Sequence, residues 1–283
     1  MANKSIIPEV IAAASNRRSF VRKLGIASAT AGAAFMVGPE KAGATTSHPN
    51  DVDILNFALN LEYLEAEFYT KATSGKYINE APYYIGTSGV GDEGPTTGGK
   101  QVNLGANKVI FTNQVAWQIA VDERDHVKLL RSALGSNAIA KPEINLDAAG
   151  FGFGNGKEFL KLARMFEDIG VSAYGGAAPL ISSKAILATA ARILAVEAEH
   201  TGNIRLQVAY FDVSTSPMDS VDIIPPPTGS LFFSVNETTG LTAVRTPGQV
   251  LYLAYGNLGN ARSGGFFPKG ANGYFVESSP SAA

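Results

Sequence analysis

The sequence predicts an all-α protein: a bundle of four long amphipathic helices, with a long loop between the first and second and an irregular C-terminal extension. Three observations predict it. Apolar residues recur at helical spacing in four stretches, each of about 18 to 28 residues. No strand-like alternation separates them, and glycine and proline cluster where the helical pattern stops.

The first helix is predicted over residues 51–74, where Leu55, Leu59, Ala66 and Thr73 alternate by four and three positions, with Glu62 and Tyr69 filling the gaps. Residues 75–105 hold eight glycines, a density that breaks regular structure and reads as a long surface loop. A second helix is expected from near Asn107 to Leu134, stopped by Gly135. A third runs from near Lys157 to Tyr174 and ends at the Gly175-Gly176 pair, and a fourth runs from near Ser183, with Ser182 or Ser183 as its cap, to Tyr210. Beyond Phe211 come Pro225-Pro226-Pro227, short apolar patches and a glycine-rich stretch from Gly264 to Gly273. One more short helix is expected there, because Thr246-Pro247-Gly248-Gln249 forms a capping box with proline at the first helical position. Its residues Val250, Leu251, Leu253 and Ala254 are placed to dock on the bundle.

Composition narrows the function classes. The chain has 283 residues, 45% hydrophobic and 17% charged, which suits an ordered globular protein. A formal charge of −2, with no Lys/Arg block past the N-terminal segment, gives no electrostatic footprint for nucleic acid. With no cysteine, thiolate metal sites, thiol nucleophiles and disulfides are excluded, so a metal would bind through oxygen and imidazole.

Residues 1–44 read as an export signal. Asn16-Arg17-Arg18-Ser19-Phe20-Val21-Arg22-Lys23 precedes an uncharged small and apolar run from Leu24 to Val37, then Ala42-Gly43-Ala44. The run is about 14 residues, too short to span a bilayer as a helix. Its Arg17-Arg18-Ser19-Phe20 core resembles a twin-arginine signal, with Asn16 in place of the usual Ser or Thr. The segment carries six basic and two acidic residues, so its removal leaves 17 basic against 23 acidic and a charge of −6, with no stable membrane span expected. The twin-arginine route carries folded proteins and suits one that takes up a cofactor before export. The expected destination is the bacterial periplasm or the extracellular space. The chain then divides into the signal (1–44), the bundle (45–211) and the extension (212–283).

Three histidines are present: His48 in the linker, His126 on the second helix and His200 on the fourth. Both helical ones follow a glutamate by three, in Glu123-Arg124-Asp125-His126 and Glu197-Ala198-Glu199-His200. That spacing puts carboxylate and imidazole on one helix face, a turn apart, where both reach one metal site. A glutamate falls at a given position roughly one time in twenty at ordinary composition, so two coincidences are improbable. The pairs also lie on apolar seams, Ile119-Glu123-His126-Leu130 and Ile193-Glu197-His200-Ile204. A carboxylate on a buried seam costs several kcal/mol unless paired or metal-bound.

The other two helices add one seam carboxylate each. Glu62 lies between Leu59 and Ala66, and Glu167 between Ala163 and Gly170. Glu65, a turn from Glu62, is the competing candidate on the first helix, whereas Asp168 beside Glu167 leaves the seam. Tyr69 and Tyr174 each follow the seam glutamate by seven and are candidates to hydrogen-bond the metal-bound carboxylates. Arg131 and Arg205 each follow the histidine by five and read as surface or ion-pair residues; together these spacings have the look of an internal duplication.

This order of Glu, Glu-x-x-His, Glu, Glu-x-x-His resembles that of the ferritin-like di-metal carboxylate superfamily. A closer resemblance is to exported desiccation-related ferritin-like proteins, because it continues through Thr246-Pro247-Gly248-Gln249-Val250-Leu251 and Gly264-Gly265-Phe266-Phe267-Pro268 and covers roughly residues 51–275. It implies a ferritin-like four-helix bundle holding two iron or two manganese ions. Glu62 and Glu167 become terminal ligands, Glu123 and Glu197 bridges, and His126 and His200 give one imidazole to each metal. Without cations the seam carboxylates repel one another, so replacing Glu123 is expected to stabilise the metal-free protein. The implied partner is a small oxidant, O2 or peroxide, in stress protection; the alternative is a non-catalytic, metal-stabilised protective protein. The long loop after the first helix departs from compact bacterioferritins, so no cage is implied, and a homodimer through a helix face is compatible with the pattern.

Overall fold

The computed structural model describes residues 48–105 and 112–281. The twin-arginine signal and the expected first residues of the second helix lie outside them.

Four long helices carry the fold: α1 (Asp51–Ser74), α2 (Thr112–Leu134), α3 (Gly156–Ala177) and α4 (Lys184–Tyr210). Asn50 starts α1 by a capping box, its side chain accepting from Val52 and Asp53 while Asp53 accepts from its backbone. Gly75 ends that helix in the left-handed region at φ 74°, which a β-carbon disfavours. Asn155 caps α3 and Ser183 caps α4. The start of α1 is tied to the start of α4 by Asp51, whose carboxylate accepts from the backbone of Ser182 and Ser183 at 2.7 and 2.9 Å.

α1 packs chiefly on α2 and α3 on α4. The seam between α1 and α3 is filled with aromatics, where Phe68 stacks on Phe159 at 5.3 Å and meets Phe153 and Phe166 edge-on. This joins the two helix pairs into one apolar core.

Two expectations are corrected by packing. The α3 helix passes through Gly175-Gly176 to Ala177 instead of ending there. A β-carbon on Gly176 would lie 2.1 Å from the Arg245 carbonyl, so this glycine admits the crossing C-terminal chain rather than stopping a helix. The stretch 75–105 is a loop but not only a surface one: Ile78, Ile85, Val102 and Leu104 are buried. Within it β1 (Thr96–Thr97) pairs in parallel with β2 (Ile144–Asn145), fastening this loop to the α2–α3 connection.

The extension contributes α5 (Pro247–Ala254), started by the Thr246/Gln249 capping box, with Val250, Leu251 and Ala254 in the common core. Among the described residues no helix is long and apolar enough to cross a membrane.

Candidate metal centre

The four helices bring all six seam candidates to one place inside the bundle. Glu62, Glu123, Glu167 and Glu197 are essentially inaccessible, and His126 and His200 are each 7% exposed. Their atoms form two overlapping sets. Glu62, Glu123, His126 and Glu197 each offer one donor atom within 4.8 Å of the others, and so do Glu123, Glu167, Glu197 and His200. Glu123 and Glu197 belong to both. The imidazoles face each other with ring centroids 6.4 Å apart.

His126 Nδ1 lies 3.1 Å from Glu62, 3.3 Å from Glu123 and 3.3 Å from Glu197. His200 Nδ1 lies 3.0 Å from Glu123 and 3.4 Å from Glu167, while its Nε2 is 3.5 Å from Asp122. These approaches do not satisfy the cluster. Glu123 Oε1, Glu167 Oε2, both Glu197 oxygens and His200 Nδ1 are buried without an aligned hydrogen bond. Each such orphan costs about 1–3 kcal/mol, so five together mark a place built for something else to bond. Oxygen and imidazole donors in overlapping fours suit two cations, and four carboxylates balance the charge of two divalent ions.

In the metal-free chain protons must play that part. Burial raises the Glu62 carboxyl to about 7, against the lowering pull of His126. Burial and the neighbouring Glu123 charge push Glu197 well above its ordinary range, and burial also raises Glu167. Glu123 behaves oppositely: burial pushes its carboxyl up, but the two imidazoles outweigh burial and hold it low. Burial disfavours the imidazolium forms, yet the surrounding carboxylates raise both histidines.

The tyrosines pair crosswise. Tyr69 of α1 donates to Glu167 of α3 at 2.5 Å, and Tyr174 of α3 donates to Glu62 of α1 at 2.5 Å. Each phenol is buried and raised well above its usual value, by burial first and then by nearby carboxylates, so it stays a donor. The seven-residue spacing in the sequence indicates this role but not the exchange between helices.

Of the first helix's acids, Glu62 enters a donor set and Glu65 does not. Glu67 faces elsewhere, accepting from Thr96 and Ile78 with Lys141 at 3.6 Å. Arg131 donates to Tyr63 and to the Ser88 carbonyl in the long loop. Arg205 is not at the surface: it is wholly buried, pairs with Asp168 at 2.7 Å and donates to four extension carbonyls between residues 223 and 233. His48 is exposed and apart from the centre.

The chain matches the ferritin-like domain family over residues 50–209, more than half its length and all four helices. The chain belongs to that family. This ferritin-like protein is 24% identical over 271 residues to the ferritin-like catalase Nec2 of Nesocodon mauritianus, covering 79% of the chain and 84% of that protein. It is 30% identical over 173 residues to the desiccation-related protein PCC13-62 of Craterostigma plantagineum, covering 55% of the chain and 52% of that protein. The chain thus spans about half the length of this second relative.

Proposed function

We propose that this protein is an exported di-metal carboxylate protein that reacts with O2 or peroxide in stress protection. The observation that carries the reading is the overlap of two donor sets at Glu123 and Glu197. Glu62 with His126 would complete one site and Glu167 with His200 the other. Two iron or two manganese ions held there would supply two electrons to, or accept two from, a small oxidant. The chain's own part is to hold and shield. Tyr69 and Tyr174 fix the two terminal carboxylates by charge-assisted hydrogen bonds, and burial keeps bulk water from the centre. Similarity to a protein named as a catalase supports peroxide, and similarity to one named as desiccation-related supports a stress role. Arg17-Arg18 and the uncharged run after them support export.

The test is elemental analysis of protein purified without added metal, followed by O2 and peroxide consumption against a free-ion background. Two ions per chain and turnover above background are expected. Bound metal that neither changes redox state nor opens a coordination position would replace this reading with the non-catalytic protective one, and no bound metal would reject both.

A further inference from the structure

A cavity of about 310 Å³ lies between α1, α3, α5 and the loops that cover them. Its walls are apolar, with Leu61, Leu64, Phe166, Ile169, Val250 and Leu253 among them. At about 30 Å³ per water it has room for roughly ten, far more than O2 or peroxide needs, and apolar walls hold water poorly. Two charged side chains line it: half-buried Lys161, whose ammonium rests over the Phe151 ring, and Glu65.

Glu65 is the unexplained group. It is 5% exposed, and among the described residues no hydrogen bond or ion pair reaches its carboxyl. Gly170, on the same cavity wall, shows where that carboxyl leads. A β-carbon there would lie 3.3 Å from Glu65 Oε1 and 2.7 Å from Glu197 Oε2, itself an orphaned oxygen of the candidate centre. The missing side chain makes room for both carboxylates, so Gly170 stands between the cavity and Glu197.

We infer that this cavity binds an organic molecule with an apolar body and one terminal hydroxyl, its hydroxyl seated at Glu65 beside Gly170. The walls match the body, and an unpartnered carboxyl among them matches a single donor-acceptor head. A carboxylate head would face Glu65 and Glu197 together. An ammonium head would shed its hydration among apolar walls, with one carboxyl to meet its three donors.

The test titrates metal-free protein with 2-phenyl-2-propanol and with cumene, which has the same body without the hydroxyl, by calorimetry or ligand-observed NMR. Saturable binding of the alcohol, at least tenfold tighter than cumene, is expected. Ala149→Trp and Met165→Trp, two independent fillings of the cavity, should each weaken it more than tenfold while the melting temperature stays near wild type. Glu65→Leu should leave alcohol and cumene within about twofold of each other. No saturable alcohol binding, cumene binding equally well to wild type, or binding untouched in a folded filled variant would each overturn the inference. Because binding is read without metal, its failure leaves the redox reading standing, and failure of the redox reading leaves the cavity assignment standing.

Discussion

The two glutamates shared by both donor sets should respond oppositely to removal in the metal-free protein. Glu197 has two buried oxygens with no aligned partner; its Oε1 sits 3.3 Å from His126 Nδ1 without hydrogen-bond geometry. Glu197→Met keeps the side chain's bulk and removes both orphans, each costing about 1–3 kcal/mol, so a gain of at least about 2 kcal/mol is expected. At about 2–4 °C per kcal/mol for a chain of this size, metal-free Glu197→Met should melt about 4–8 °C above metal-free wild type. Glu123 is the anion that both imidazoles approach, at 3.3 and 3.0 Å. Glu123→Gln should therefore cost about 3–5 kcal/mol, as breaking a buried pair does. This reverses the expectation from sequence, in which removing Glu123 relieves repulsion: the geometry concentrates the repulsion on Glu197 and gives Glu123 two cationic partners.

Metal should invert the order. At a hundredfold excess over Kd a bound ion stabilises wild type by about 2.7 kcal/mol. Either variant loses a ligand from both sets and should gain little. The assay is calorimetric melting in chelator and in excess Mn²⁺ or Fe²⁺, with metal stoichiometry measured on the same samples. If metal-free Glu197→Met melts below wild type, or metal raises both variants as much as wild type, the shared-ligand geometry is wrong.

Other outcomes follow from the same arrangement. His126→Ala and His200→Ala should each retain close to one tightly held ion by elemental analysis, because each imidazole belongs to one set. Tyr69→Phe and Tyr174→Phe should each cost about 1.5–3 kcal/mol, as loss of a bond to a charged group does, and the double variant should shed metal to a competing chelator faster than wild type. The metal-free protein should lose stability as pH rises. Glu62 keeps its proton to about 7 when folded but only to about 4.5 when unfolded, so the folded state binds more protons in that window and forfeits about 3 kcal/mol across it. The raised histidines act in the same direction above their unfolded values, whereas depressed Glu123 costs stability only as pH falls below about 4.5. Melts from pH 5 to 8 should fall in chelator and rise with metal, whose ligands must be deprotonated. Arg17→Lys with Arg18→Lys should leave unprocessed precursor in the cytoplasm by cell fractionation, and normal export would reject the signal.

What was legible in the sequence is what local chemistry writes there. The Glu-x-x-His spacing is enough to put two donors on one face, and the apolar seam around it says which face is inward. Caps set the starts of α1 and α5 and a left-handed glycine sets the end of α1, because those signals act over one turn. Gly175-Gly176 misled because a glycine read as a helix stop was instead a site of close approach by the distant Arg245 backbone, which no local pattern carries. Glu65 was ambiguous for the same reason. It stands one turn from Glu62 and could have been a ligand; its cavity is assembled from residues between about 80 and 200 positions further along the chain.

The two halves of the bundle are alike in more than their ligands, and the places where they differ are informative. Adding 105 to a position on α1 gives its counterpart on α3: Glu62 with Glu167, and Tyr69 with Tyr174. The same shift takes Tyr63 to Asp168, and these two receive Arg131 and Arg205 respectively, so each half anchors a different loop by an equivalent arginine. It also takes Glu65 to Gly170. Here a carboxylate has a glycine as its counterpart, and the space the glycine leaves is shared by Glu65 and Glu197. A strictly repeated site would have put two further acids beside Glu197, a charge that two divalent ions could not balance. Glycine at 170 leaves Glu65 as the one further acid, on the wall it shares with the apolar cavity. The near-symmetry places the two candidate donor sets, and its break at Glu65 and Gly170 is where the apolar cavity lies beside them.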